Sequence, residues 1–166
     1  MPADASDLSI VGSAAYAAAY AYLWDDGAEL SRQLATFSAK SFEALLRRPD
    51  ALLWVAELEG QIVGFLSMIV GSPNPVNQRP NGAEIPRIYL LPNVQGVGLG
   101  RRLLDSAIND ARDRGLDHVW LDVMASASDA RKAYLNWGFA ELGAKLFRKP
   151  VKAGLADMVV LIRDLS

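Results

Sequence analysis

The chain has no cysteine among its 166 residues and one histidine, His118. Without cysteine there can be no disulfide, no thiolate nucleophile and no acyl-cysteine intermediate. A lone histidine argues against a zinc site, and no metal is expected. An excess of charge of one sign is also missing. Lys and Arg number 17 against 19 Asp and Glu, the net charge is −2, and the cations are scattered, so there is no nucleic-acid footprint. Long hydrophobic runs are lacking too, although 51% of the residues are apolar. No stretch reaches the roughly 18 uninterrupted apolar residues of a membrane span. The run from Ala14 to Trp24 is too short, and Asp4 and Asp7 precede it where a leader would carry basic residues. It reads as a buried, alanine-rich helix. These absences leave a single domain over 1–166, expected in the cytoplasm, with no membrane partner and enough length to bury a core.

What is present centres on Gln95-Gly96-Val97-Gly98-Leu99-Gly100-Arg101-Arg102. A strand-like run, Ala83 to Leu91, precedes it. A helix-like run, Leu99 to Arg114, follows, with Leu99, Leu103, Ala107 and Ala111 spaced by four. Glycines at alternate positions let backbone approach a ligand, and the helix start aims unpaired N–H groups and a positive dipole end into that space. Such a junction suits phosphate oxygens. No lysine follows the glycines, which removes the P-loop. A dinucleotide fingerprint fails in both registers, at Arg101 and at Leu103. What remains is Gln-x-x-Gly-x-Gly over Gln95, Gly98 and Gly100.

That pattern resembles the coenzyme A loop of the GCN5-related N-acetyltransferases, the GNAT superfamily. A second match lies downstream. Trp120-Leu121-Asp122-Val123 reads as a buried strand and Ser128 to Trp137 as a helix with Ala130, Ala133, Tyr134 and Trp137 on one face. Gly138 suits the left-handed position that ends it. The resemblance spans roughly Leu52 to Asp164, and Tyr134 falls where the family places the tyrosine facing the thioester sulfur. Ala127 replaces an asparagine common in relatives, and the family's first strand looks short or missing. The stretch Glu84 to Tyr89 with Val119-Trp120-Leu121 is also similar to the bacterial polyamine acetyltransferase branch.

The remaining pattern is helical up to Arg47, with a break near Asp25-Asp26-Gly27. A hairpin of Leu52–Glu59 and Ile62–Val70 follows, then a proline-rich loop and the strand bearing Pro86. Last come strands near Val119, at Phe139–Phe147 and at Met158–Arg163. This is an α/β chain with a mixed, largely antiparallel central sheet flanked by helices.

The resemblance implies an N-acetyltransferase moving acetyl from acetyl-CoA, its cosubstrate, to a primary amine by direct attack in a ternary complex. The acceptor is a small molecule or a protein, and the enzyme a monomer or homodimer. Ile88, Tyr89 and Leu90 would border the pantetheine arm. Gln95, Gly96, Val97, Gly98, Leu99, Gly100 and Arg101 would hold the phosphates. Tyr134 would act as general acid. Glu84, eleven residues before Gln95, is the candidate base, with Asp122 and water as rivals. In an unbroken strand Glu84 shares parity with Ile88 and Leu90; a bulge at Pro86 would shift it. A non-catalytic acyl-CoA-binding domain is the alternative function.

Overall fold

A computed structural model describes residues 4–166. The helical first part forms α1 (Ala5–Tyr20), α2 (Gly27–Ala35) and α3 (Ala39–Leu46). Asp26 starts α2 by accepting from the Ala28 N–H at 2.8 Å, which is the break expected near Asp25. A second break was not legible as one. Thr36 turns its hydroxyl back onto the Gln33 carbonyl at 2.7 Å, and Ser38 caps α3 at the Ser41 N–H. Phe37 between them is thereby driven into the core.

The sheet is built from β1 (Ala51–Leu58), β2 (Gln61–Val70), β3 (Gly82–Leu90), β4 (His118–Met124), β5 (Ala140–Leu146) and β6 (Asp157–Asp164). α4 (Leu99–Asp113) and α5 (Ser128–Asn136) lie between strands in the chain. The spatial order is β1-β2-β3-β4-β6-β5, and only the β3–β4 pair is parallel. The first strand among the described residues, β1, follows α3. Each face of the sheet carries its own apolar layer. Leu66, Met68, Ala83, Ile85 and Val119 pack against Leu103, Leu104 and Ala107 of α4. Tyr16, Phe37, Phe42, Phe65 and Met124 pack under α1 to α3.

Two irregularities of β3 shape the rest. Its ladder to β2 runs Ser67↔Arg87 and then Ile69↔Glu84, two steps on one strand against three on the other. One extra residue therefore sits in the Ile85-Pro86 stretch, a β-bulge at the place where proline cannot donate to a ladder. The bulge inverts the faces. Ala83 and Ile85 point to the α4 side, and so do Ile88 and Leu90, one residue out of phase with them. Glu84 is thus moved away from Ile88 and Leu90, onto the face of Arg87 and Tyr89, where α1 to α3 form the roof. The second irregularity is the short parallel ladder, which pairs Gly82↔His118, Ala83↔Val119 and Glu84↔Trp120 and then stops. Beyond Glu84 the strands diverge into a fork.

Candidate active site

Along the fork, β3 offers backbone that nothing in the sheet uses. The Leu91 N–H donates to the Val63 carbonyl at 2.9 Å. By antiparallel alternation Tyr89 then pairs across to β2, while Ile88 and Leu90 turn their N–H and C=O groups into the fork. The Gln95 side chain confirms the direction, because its Nε2 donates to the Leu90 carbonyl at 3.3 Å. The open backbone belongs to Ile88 and Leu90, and Tyr89 contributes its ring to the opposite face.

At the mouth of the fork lies the glycine loop. Gly96 and Gly98 hold φ of 81° and 85°, the left-handed region that a Cβ disfavours. Gly98 is the residue capping α4, whose first backbone bond runs from the Arg102 N–H to the Gly98 carbonyl at 3.1 Å. Among the described residues the amides from Gly96 to Arg101 donate to no protein acceptor. Unpartnered amides at a helix N-terminus form an anion cradle. Gly100 has a different reason: a Cβ there would stand 3.3 Å from both Leu90 Cδ1 and Trp137 Cη2, so its absence lets α4 press against β3 and α5. Arg101 reaches along α4 to Asp105 at 3.1 Å, and Val97 is exposed at the tip.

Across the fork stands Tyr134, in the last turn of α5. Gly138 ends that helix with the Phe139 N–H on the Tyr134 carbonyl and the Gly138 N–H on the Leu135 carbonyl, the double bond of a Schellman motif. The Tyr134 ring is set edge-on between Trp137 and Phe139, with centroids 5.8 Å from each. Burial pushes its phenol well above the ordinary value, with the Tyr20 phenol adding to it. Tyr134 therefore stays protonated at neutral pH. The Tyr20 phenol is likewise pushed up to about 12, and Tyr89 well above the ordinary value, both mainly by desolvation. Tyr20 and Tyr89 meet edge-to-face at 6.4 Å. None of these hydroxyls meets a protein partner among the described residues, and all of the rings are half-buried. Sequence reasoning missed Tyr20. Its signal is the Tyr16–Tyr20 spacing of one helical turn, masked by the run of alanines between them.

The carboxylates lie deeper. Glu84 sits at the closed end of the fork beside Trp120, accepts from the Ser72 hydroxyl at 2.7 Å, and forms no ion pair among the described residues. Asp122 is bound to Lys145 at 2.6 Å. Trp24 is buried with its indole N–H on the Tyr16 hydroxyl, so it builds the roof. Tyr22 then ties that roof to the β4–α5 loop through the Ser126 hydroxyl at 2.7 Å. His118 is fully buried against Asp117, and Gly82 packs on its ring. Its role is structural.

A fork with free strand backbone, an amide cradle at its mouth and a protonated tyrosine opposite can hold a long, phosphate-bearing thioester. The model of the acetyltransferase (GNAT) family matches residues 11–139. The chain belongs to that family. It is 30% identical over 131 residues to an uncharacterized N-acetyltransferase of Mycobacterium tuberculosis, covering 79% of this chain and 78% of the relative. To the streptothricin acetyltransferase of Streptomyces lavendulae it is 36% identical over 85 residues, 51% of this chain and 42% of that one. Its fold is similar to the PaiA N-acetyltransferase of Thermoplasma acidophilum, solved in complex with coenzyme A. The TM-score is 0.79 over 98% of this chain and 94% of that one, at 19% identity. This GNAT protein is an acyl-CoA-dependent acetyltransferase, and the amides of Gly96 to Arg101 with the open edge of Ile88 and Leu90 fit coenzyme A.

Proposed function

We propose that this enzyme transfers acetyl from acetyl-CoA to a primary amine by direct attack within a ternary complex, with Tyr134 as general acid. The observation that supports it is a desolvated phenol, Tyr134, held against Trp137, which closes on Gly100 beside Leu90 of β3. When bound, acetyl-CoA supplies the activated acyl group as a thioester. The chain's residues do the rest. Gln95 and the Gly96–Arg101 amides hold phosphate oxygens, and Ile88 and Leu90 hold the amide-bearing arm as an added strand would. The Tyr134 hydroxyl, protonated across the neutral range, gives its proton to the departing sulfur. The absence of cysteine agrees with direct attack.

Glu84 takes the amine's proton in this scheme. Asp122 is already neutralised by Lys145, whereas Glu84 carries no ion pair among the described residues and faces the roofed side with Tyr89. Three residues of the regular partner strand, Leu66 to Ile69, roughly 10 Å, span the distance between Ile88 and Glu84, so the proton travels through water. A steady-state thiol-release assay on the parent and on Tyr134→Phe tests the reading. The phenol's loss should lower kcat by about 10²–10⁴ while acetyl-CoA binding persists. A variant that turns over at the parent rate removes Tyr134 from the chemistry.

A further inference from the structure

On the roofed face of the sheet, Arg87 keeps donors that neither the fold nor the proposed chemistry takes up. It follows the β3 bulge and shares its face with Tyr89 and Glu84. Its guanidinium lies 4.1 Å over the Phe37 ring and 5.9 Å from that of Phe42. Nη2 donates to the Thr36 carbonyl and hydroxyl at 3.2 and 3.1 Å, closing the end of α2. Nε and Nη1 meet no protein acceptor among the described residues, and no carboxylate pairs with the group. Its half-buried surroundings disfavour the charge, and desolvation pulls its pKa down; yet an arginine keeps its proton. A desolvated charge without a counterion is costly and is ordinarily paired. On the same face Glu84, also outside any ion pair, leaves Arg87 unneutralised.

We propose that Arg87 binds a carboxylate on the acceptor, so that the acceptor is an amino-acid-like small molecule and not a polycation. This deepens the proposed function and rests on it, since it assigns the acceptor of that same site. The charge pattern matches a zwitterion, with the ammonium towards Glu84 and the carboxylate towards Arg87. One unpaired positive charge calls for one negative charge, which a carboxylate carries. A polyamine would bring further positive charge onto the guanidinium.

The test sets α-, β- and γ-amino acids against their own carboxamides, nearly isosteric acceptors that lack the negative charge. Thiol release is followed in the parent, Arg87→Gln and Arg87→Lys. The kcat/KM ratio of acid to amide should favour at least one acid by about 10²-fold in the parent. It should fall towards one in Arg87→Gln and lie between in Arg87→Lys. Because each ratio is taken within one variant, a loss of folded protein cancels. A parent ratio at or below one, or a ratio that survives Arg87→Gln, overturns the assignment. If no amine turns over in the parent, the CoA-saturated protein is melted with N-acetyl amino acids and with their amides. A stabilisation by the acids that Arg87→Gln abolishes keeps the anion site and rejects amine acetylation. Equal melting with both sets rejects the anion site.

Discussion

Replacing Gly98 by alanine isolates what the glycine loop contributes, because geometry alone is perturbed. An added Cβ would meet nothing within 4 Å, so there is no clash. The cost comes from holding an L-residue at φ 85°, about 1–2 kcal/mol. In a chain of this size that lowers Tm by about 2–8 °C. The backbone can escape only by turning φ negative, which rotates the adjoining peptides and re-aims the Gly98 and Leu99 amides. A hydrogen bond to a charged group is worth about 1.5–3 kcal/mol, so acetyl-CoA affinity should drop about 10–100-fold. Gly115, just past the end of α4, is the control. It has φ 75° and equally open space, so Gly115→Ala carries the same strain away from the loop. Thermal melts with titrated acetyl-CoA separate the two effects. Both alanine variants should melt lower without ligand, yet only Gly98→Ala should need more acetyl-CoA for a given shift. Gly98→Asn should recover binding, since asparagine tolerates the left-handed region. If Gly98→Ala follows the parent's concentration dependence, the loop amides are not the phosphate cradle.

The carboxylate and phenol assignments make their own demands. Glu84→Gln should lower kcat/KM by about 10²–10⁴ and remove a limb of the pH–rate profile, whereas an unchanged profile excludes it as base. Alkaline stability follows from the phenols. An unfolded tyrosine loses its proton near pH 10, while Tyr20 in the fold keeps it to about 12. The resulting stability is complete below pH 10 and is lost as pH rises towards 12. Tyr20 alone should contribute about 2–3 kcal/mol, and Tyr89 and Tyr134 add in the same direction. Denaturant unfolding of the parent and Tyr20→Phe from pH 9 to 12 reads the slope; identical slopes would show that the Tyr20 proton is not held by the fold.

Local chemistry made most of the chain readable. The β1–β2 hairpin was legible because Glu59-Gly60 supplies adjacent positive φ values, 50° and 78°. α4 announced itself by glycine followed by apolar residues at four-residue steps, and the end of α5 by Gly138. The break at Phe37 was not legible. An aromatic residue inside a helical pattern looks like one more core position, and only the backward bond of Thr36 and the cap of Ser38 reveal the turn. In the site, the amide cradle could be read from Gln95 to Gly100 because it is contiguous backbone. Tyr20 and Arg87 could not, because their meaning depends on which helix roofs which strand. Glu84 shows the limit most clearly: its spacing from Gln95 was readable, but its face depended on a bulge.

That bulge links the parts of the site. Proline at position 86 has no N–H to give to either neighbour, so the ladder cannot run through it unbroken. The β3–β4 pairing ends at Glu84, two residues short of it, and from there the strands part. Parting frees the Ile88 and Leu90 backbone for a ligand arm. The extra residue also reverses the alternation, and the reversal carries Arg87 and Tyr89 to the helical roof. Had β3 been regular, the cation would have pointed into the apolar layer beneath α4, among Leu66, Leu103 and Ala107. No anion is available there, and the cost of burying an unpaired charge would be uncompensated. The sheet's open backbone and the charge on its roofed side thus have one local cause, and a residue that is costly in a regular strand is the one this fork requires.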